Sequence, residues 1–183
     1  MGLFDFFSGG AEGQLKRHSK RAMNLNAQAE DREASLQWLA QEGSEQAILG
    51  LLGRFTVTYE HQMKDLNEKQ LVYELLDGLG EDVCGPIKIW ARKAPKFARP
   101  LQLVDKYEGE EATVTMLIEM LELENDPFKP EKKRQILIKL AEYTDDRIVP
   151  AIEACMRDFD EGIRYAAVEA ALSQPDDSVQ GHL

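Results

Sequence analysis

The stretch DDRIVPAIEACMRDFDEGIRYAAVEAAL, residues 145–172, decides the fold. After an acidic start, Ile148, Ile152, Cys155 and Met156 recur at helical spacing. Pro150 falls early in that helix, where a missing N–H costs little. Asp158-Phe159-Asp160 makes a second acidic turn, and Ile163, Ala166, Ala167 and Ala170 share one face of the helix that follows. Alanines let neighbouring helices approach closely, and an aspartate ahead of a helix meets the positive end of its dipole. The segment is one helix pair joined by a polar turn.

Upstream the same grammar repeats. Leu15, Ala22, Leu25 and Ala29 fit one face of a first helix. Leu36, Leu39 and Ala40 lead to Gly43-Ser44, a helix C-cap followed by an N-cap, and Ile48, Leu49, Leu51, Leu52 and Phe55 continue beyond it, so Asp31 to Phe55 is a helical hairpin. Leu71, Val72, Leu75, Leu76 and Leu79 precede Gly80, and Val83, Ile87, Trp90 and Ala91 follow. Leu101, Val104 and Tyr107 precede Gly109, and Val114, Leu117, Ile118 and Leu121 follow. Asn125 to Lys129 is a loop by its composition, with Pro130 opening the next helix, where Ile136, Leu137, Leu140 and Ala141 form the stripe. Phe55 to Tyr59 sits between hairpins and is expected to be loop. Gly43, Gly80, Gly109 and Thr144 recur at intervals on the order of 30–40 residues, inside the period range of helical repeats. The expected fold is all-α, a solenoid of four to five antiparallel helix pairs, with residues 14–183 as one domain. Residues 1–13, with Leu3, Phe4, Phe6 and Phe7 ahead of Ser8-Gly9-Gly10, are expected to form a flexible apolar segment.

Residues 145–172 resemble the short HEAT repeats of phycobilisome-lyase-like proteins. Asp158-Phe159-Asp160 matches the acidic turn of such repeats, and Ile163-Arg164 followed by the alanine-rich run matches their apolar–arginine pair. At the level of pattern the resemblance extends over most of residues 31–172. It implies a HEAT-like or armadillo-type superhelix whose surface binds a partner, with Arg164 serving the packing between repeats.

The composition narrows the chemistry. A net charge of −11 works against general attraction to nucleic acid or anionic lipid. Cys84 and Cys155 fall in apolar helical pattern and are expected to be buried thiols in a reducing, cytoplasmic setting. No run reaches the ~18 apolar residues of a membrane span. The N-terminus carries neither an export signal nor a myristoylation pattern, since Phe6 stands where Ser or Thr is required. His18, His61 and His182 have no companions at metal-ligand spacing, and no phosphate-cradling loop or nucleophile motif occurs, so no cofactor or metal is expected. Clusters such as Glu108, Glu110 and Glu111, or Glu119, Glu122 and Glu124, are solvated faces in a chain with 33 carboxylates.

Charge is unevenly placed. Lys16, Arg17, Lys20 and Arg21 form one acid-free group, and Lys88, Arg92, Lys93, Lys96 and Arg99 a second, with Trp90 and Phe97 among them. Cations interleaved with aromatic rings suit phosphates, stacked bases or acidic peptide segments. The same pattern also fits a helix stripe with a solubilised end. A non-catalytic protein-binding scaffold is the expected function, with residues 88–99 as its candidate patch. Two alternatives stand beside it: a nucleic-acid-binding protein resembling the solenoid DNA glycosylases, and a bilin-lyase-like subunit. Little chain follows Leu172, so the face of Ile163, Ala166, Ala167 and Ala170 is expected to be uncovered and to support self-association.

Overall fold

The computed structural model describes residues 3–124, 126 and 130–175, with residues 3–9 described by backbone alone. All described regular structure is helical, as the spacing predicts, and no strand occurs among these residues. The chain divides into two compact units, Met1–Leu103 and Val104–Leu183, over the range that composition predicts to be a single domain.

In the first unit α1 (Leu3–Ala22), α2 (Ala29–Glu42), α3 (Glu45–Leu52), α4 (Gln62–Asp77) and α5 (Cys84–Ala91) follow in order, and α6 (Ala98–Glu108) carries the boundary between units. Within the segment 1–13 that the sequence sets apart, the backbone of Ser8, Gly9 and Gly10 runs inside α1. The side chains of Leu3, Phe4, Phe6 and Phe7 lie outside the described residues. Leu25 and Ala29 do not share the first helix. Asn24 ends it instead: its side-chain Oδ1 accepts from the Asn26 N–H at 3.1 Å while its own N–H bonds Arg21 O at 3.0 Å. This local alternative competes with continued helix.

The hairpin from Asp31 to Phe55 forms as its caps dictate. Gly43 adopts φ 66°, the left-handed conformation of a helix C-cap, and Ser44 Oγ accepts from the Ala47 N–H at 3.3 Å. Gly80 and Gly109, the other glycine turns, also have positive φ, at 70° and 87°. Leu36, Leu39, Leu51, Leu52, Val72, Leu76 and Ile87 are fully buried. A buried leucine contributes about 1.5–3 kcal/mol relative to exposure, so this stripe holds the unit together. Packing is sequential: α1 meets α2 and α3, α2 meets α3 and α4, and α3 meets α4 and α5. Where α1 crosses α3 the approach is close, and a Cβ at Gly50 would lie 2.5 Å from Ser19 Oγ.

The second unit contains α7 (Glu110–Leu123), α8 (Pro130–Leu140), α9 (Ile148–Ile152), a 3-10 turn Glu153–Arg157 and α10 (Glu161–Leu172). Pro130 opens α8 as expected, while residues 125 and 127–129 of the expected loop lie outside the described residues. Cys155 and Met156 belong to the 3-10 turn rather than to a continuous α-helix. α7 packs on α8 and α9, and α10 on α8 and α9. The expectation of an uncovered alanine face is corrected here. Ile163, Ala166, Ala167 and Ala170 are buried against these helices, and Tyr165, Val168 and Leu172 are the exposed large hydrophobic side chains of α10. The reason is geometric: small side chains permit the closest helix approach, so the alanine face turns inward. Among the described residues no helix is long and apolar enough to cross a membrane.

Candidate functional site

The basic stretch runs from α5 through a turn into α6. Trp90 O accepts from the N–H of both Lys93 and Ala94 at 3.0 Å, which ends α5 and folds residues 92–96 back as a surface turn. Arg92, Lys93 and Lys96 are exposed on that turn. Lys88 is half-buried on α5, and Trp90 places its ring edge-on to Phe55, with centroids 6.3 Å apart. Arg99 is also half-buried: it donates to Gln70 Oε1, and its guanidinium lies 5.8 Å from the Tyr73 ring centroid. Phe97 departs from its expected role. Its ring has no exposure and belongs to the core, so it has no face to offer a partner. The structure therefore gathers Arg92, Lys93 and Lys96, with part of Trp90, and withdraws Phe97.

A second constellation in the same unit has no counterpart in the sequence motifs. Arg54, at the end of the apolar run of α3, is fully buried. Its Nη2 donates to Asp65 Oδ1 at 2.8 Å, its Nη1 to Val57 O at 3.0 Å, and its Nε to Glu68 Oε2. Glu68 also accepts from Arg32 Nε at 2.9 Å, and Asp65 from Lys69 Nζ at 2.7 Å and the Tyr59 N–H at 3.2 Å. The guanidinium carbons of Arg32 and Arg54 lie 4.7 and 4.9 Å from the Tyr59 ring centroid. Burial by itself would raise the pKa of Asp65, but the hydrogen bonds from Lys69, Arg54 and Tyr59 outweigh it and hold the carboxyl below its ordinary value. The signal available in sequence was a single arginine inside the run Ile48 to Val57. Its partners are long-range, so spacing alone could not assign them.

Arg32, Tyr59 and Glu68 also form part of the wall of a pocket of about 690 Å³ between the start of α2, the loop before α4, and α4 itself. His61, Lys64 and Asn67 line it together with Leu25 and Leu71. The other described histidine is structural. His18 stacks on Trp38 with centroids 4.3 Å apart. Ser35 Oγ donates to Asp31 O, which leaves His18 Nδ1, 3.2 Å away, as the donor to that hydroxyl. Burial, and then Arg17 and Arg21, push the His18 pKa below its ordinary value, which favours the neutral ring. His182 lies outside the described residues. Both thiols are buried, and burial raises the pKa of Cys155, which works against a thiolate there.

In the second unit the acidic turn is built as its sequence suggests. Asp160 Oδ1 accepts from the Ile163 N–H at 2.9 Å and caps α10, while Asp158 Oδ2 accepts from Lys133 Nζ at 2.6 Å. Arg164 Nη1 donates to the carbonyls of Asp158 and Phe159, both at 2.9 Å. It locks its own turn. Among the described residues no group of three His, Cys, Asp or Glu side chains is placed to hold a metal ion. Compared with family models, curated proteins and solved structures, the chain matches none.

Proposed function

We propose that the chain is a non-catalytic interaction module of the HEAT-like solenoid type, which takes an acidic segment of a protein partner on the turn after α5. The observation that carries this reading is the presentation of Arg92, Lys93 and Lys96 together at the surface of a chain whose net charge is −11. The ends of the turn are anchored by Trp90 against Phe55 and by the buried Phe97, so little ordering is required on binding. Sequential packing, in which helices contact both the next element and the next but one, supports stacked helix pairs, as do the left-handed glycines at three inter-helix turns. A cytoplasmic setting belongs to the same proposal and is supported by the two buried free thiols.

The test uses a fluorescein-labelled Glu-rich peptide and the full chain. Reversing Arg92 and Lys96 to Glu should weaken peptide binding by about tenfold or more and leave thermal stability nearly unchanged, because exposed charges contribute little to folding. Binding should fall with added salt. Equal binding by the folded double mutant would end the proposal. A single-stranded oligonucleotide that bound more tightly than the peptide would move the turn to the nucleic-acid reading.

A further inference from the structure

Lys16, Arg17, Lys20 and Arg21 are exposed on α1, and none of them is held in an ion pair by a described residue. The opposite strip of the same helix does the packing. Leu15, His18, Ser19 and Ala22 recur at helical spacing and are buried or half-buried, with His18 stacked on Trp38 of α2 and Ser19 lying against Gly50 of α3. Toward its start α1 leaves this seat. Gly10, Ala11, Glu12, Gly13 and Gln14 are all exposed, and five successive positions pass more than once round a helix, so no described side chain covers any side of α1 there. A Cβ at Gly10 or Gly13 would meet nothing within 4 Å. The helix runs back to Leu3, so residues 3–14 extend about 18 Å beyond the packed portion. Its first two turns carry Leu3, Phe4, Phe6 and Phe7, a spacing that places all four on one side. Eighteen residues make five turns, so Arg21 falls in register with Leu3, and Arg17 falls close to register with Phe6. Asp5 and Glu12 fall on the other side. The helix is thus an arm whose apolar positions continue the line of its cations.

We propose that α1 docks this chain on a bilayer surface containing anionic lipid, with Leu3, Phe4, Phe6 and Phe7 entering the boundary between headgroups and acyl chains while Lys16, Arg17, Lys20 and Arg21 meet the headgroups. Large apolar residues in line with cations on one helix are the composition of helices that lie in a bilayer interface. A nucleic acid would satisfy the cations and leave the apolar cluster in water. Neither feature suffices by itself, because stable anchoring at a membrane takes two signals, and α1 supplies an apolar one and a basic one. The net charge of −11 does not prevent contact. At physiological salt, charges are screened beyond about 8 Å, and the far end of the arm lies about 18 Å from the packed turns of α1. Among the described residues no helix is long and apolar enough to cross the bilayer, so α1 lies on the surface rather than through it. The arm is separate from the basic turn after α5 and stands whatever that turn binds.

Co-sedimentation of the full chain with vesicles tests the proposal. Vesicles of equal parts phosphatidylserine and phosphatidylcholine should bind the chain, phosphatidylcholine alone should bind it at least about tenfold more weakly, and added salt should release it. Lys16→Glu combined with Lys20→Glu should weaken vesicle binding by about a hundredfold and leave the melting temperature unchanged, because both side chains are exposed. Phe4→Ser combined with Phe7→Ser should weaken it by about tenfold or more. Arg92→Glu combined with Lys96→Glu should bind vesicles as the native chain does, which separates the arm from the basic turn. The proposal is overturned if the native chain does not sediment with the anionic vesicles, or if either pair of changes in α1 leaves vesicle binding unaltered. A single-stranded oligonucleotide that bound α1 more tightly than the vesicles, and was lost with Lys16 and Lys20, would overturn it in favour of nucleic acid.

Discussion

Arg54 in the first unit and Asp160 in the second both fix the chain where a helix meets a turn, but they do so in different solvents. Arg54 works without water, tied to two carboxylates of α4 and to the Val57 carbonyl. Asp160 works at the surface, bonding an N–H three residues ahead while Asp158 and Arg164 close the loop around it. Removing water makes each partner of Arg54 strongly dependent on the others, because a buried charge without its counter-charge is far more costly than an exposed one. At the surface, water replaces whatever is lost. One turn therefore depends on a network that is all or nothing, and the other on small local increments.

The largest expected effect breaks that contrast at its stronger end. Arg54→Ala leaves the buried Asp65 and the part-buried Glu68 with one cation fewer each and should cost about 3–5 kcal/mol in urea denaturation of the full chain. Replacing Arg54, Asp65 and Glu68 together with apolar residues of similar size should cost less than the single change, because no unpaired charge remains. A loss under about 1 kcal/mol for Arg54→Ala would show that water enters the network and that the contrast with the surface turn is false.

In the second unit the corresponding strong point is apolar. Ala167 has no exposure, so Ala167→Leu should cost about 1–3 kcal/mol through overpacking of α10 on its neighbours. Sedimentation of the native chain is not expected to depend on this position. A neutral substitution would mean that α10 is loosely seated. Next in size is the cap: Asp160→Ala should cost about 1 kcal/mol, and Asp160→Asn much less, measured by thermal melting.

The smallest effect appears only in acid. Hydrogen bonding from Lys133 holds the Asp158 pKa below its ordinary value, and that of Asp65 is lowered against the pull of burial. A carboxyl whose folded pKa is depressed contributes stability that is complete above the unfolded pKa, near 4, and is lost as pH falls through the folded value. Stability should thus fall in two steps as pH is lowered, one beginning near the ordinary histidine pKa, because the fold disfavours a charged His18, and one below about 4 from the carboxyls. Asp65→Asn and Asp158→Asn should each flatten part of that decline. A profile with no loss between pH 7 and about 5 would show that His18 charges as readily in the folded chain as in the unfolded one.

Much of the helical framework was legible because the determinants lie within a few residues of one another. Gly43-Ser44, Pro130 and Asp160 each act on their own helix end, so reading them needs no knowledge of the fold. The pocket and the ionic network were not legible. Arg32, Arg54 and Glu68 come from three different elements, and only tertiary packing brings them together. Phe97 was misplaced for a related reason: between helices no periodicity says which way a side chain faces, and proximity to cations in sequence stood in for proximity at the surface. The alanine face of α10 was identified correctly as a packing face, but the helices that cover it precede it in the chain.

The close passage of α1 over α3 has a consequence for how this sequence can diverge. A side chain at position 50 would collide with Ser19, whose Cβ as well as Oγ lies within reach of the added carbon, and Leu39 closes the other side. Positions 19 and 50 therefore share one allotment of volume. Lineages descending from this chain can enlarge one only where the other is already minimal, so the pair should drift in concert, leaving in alignments a correlated trace that marks the crossing point of two helices.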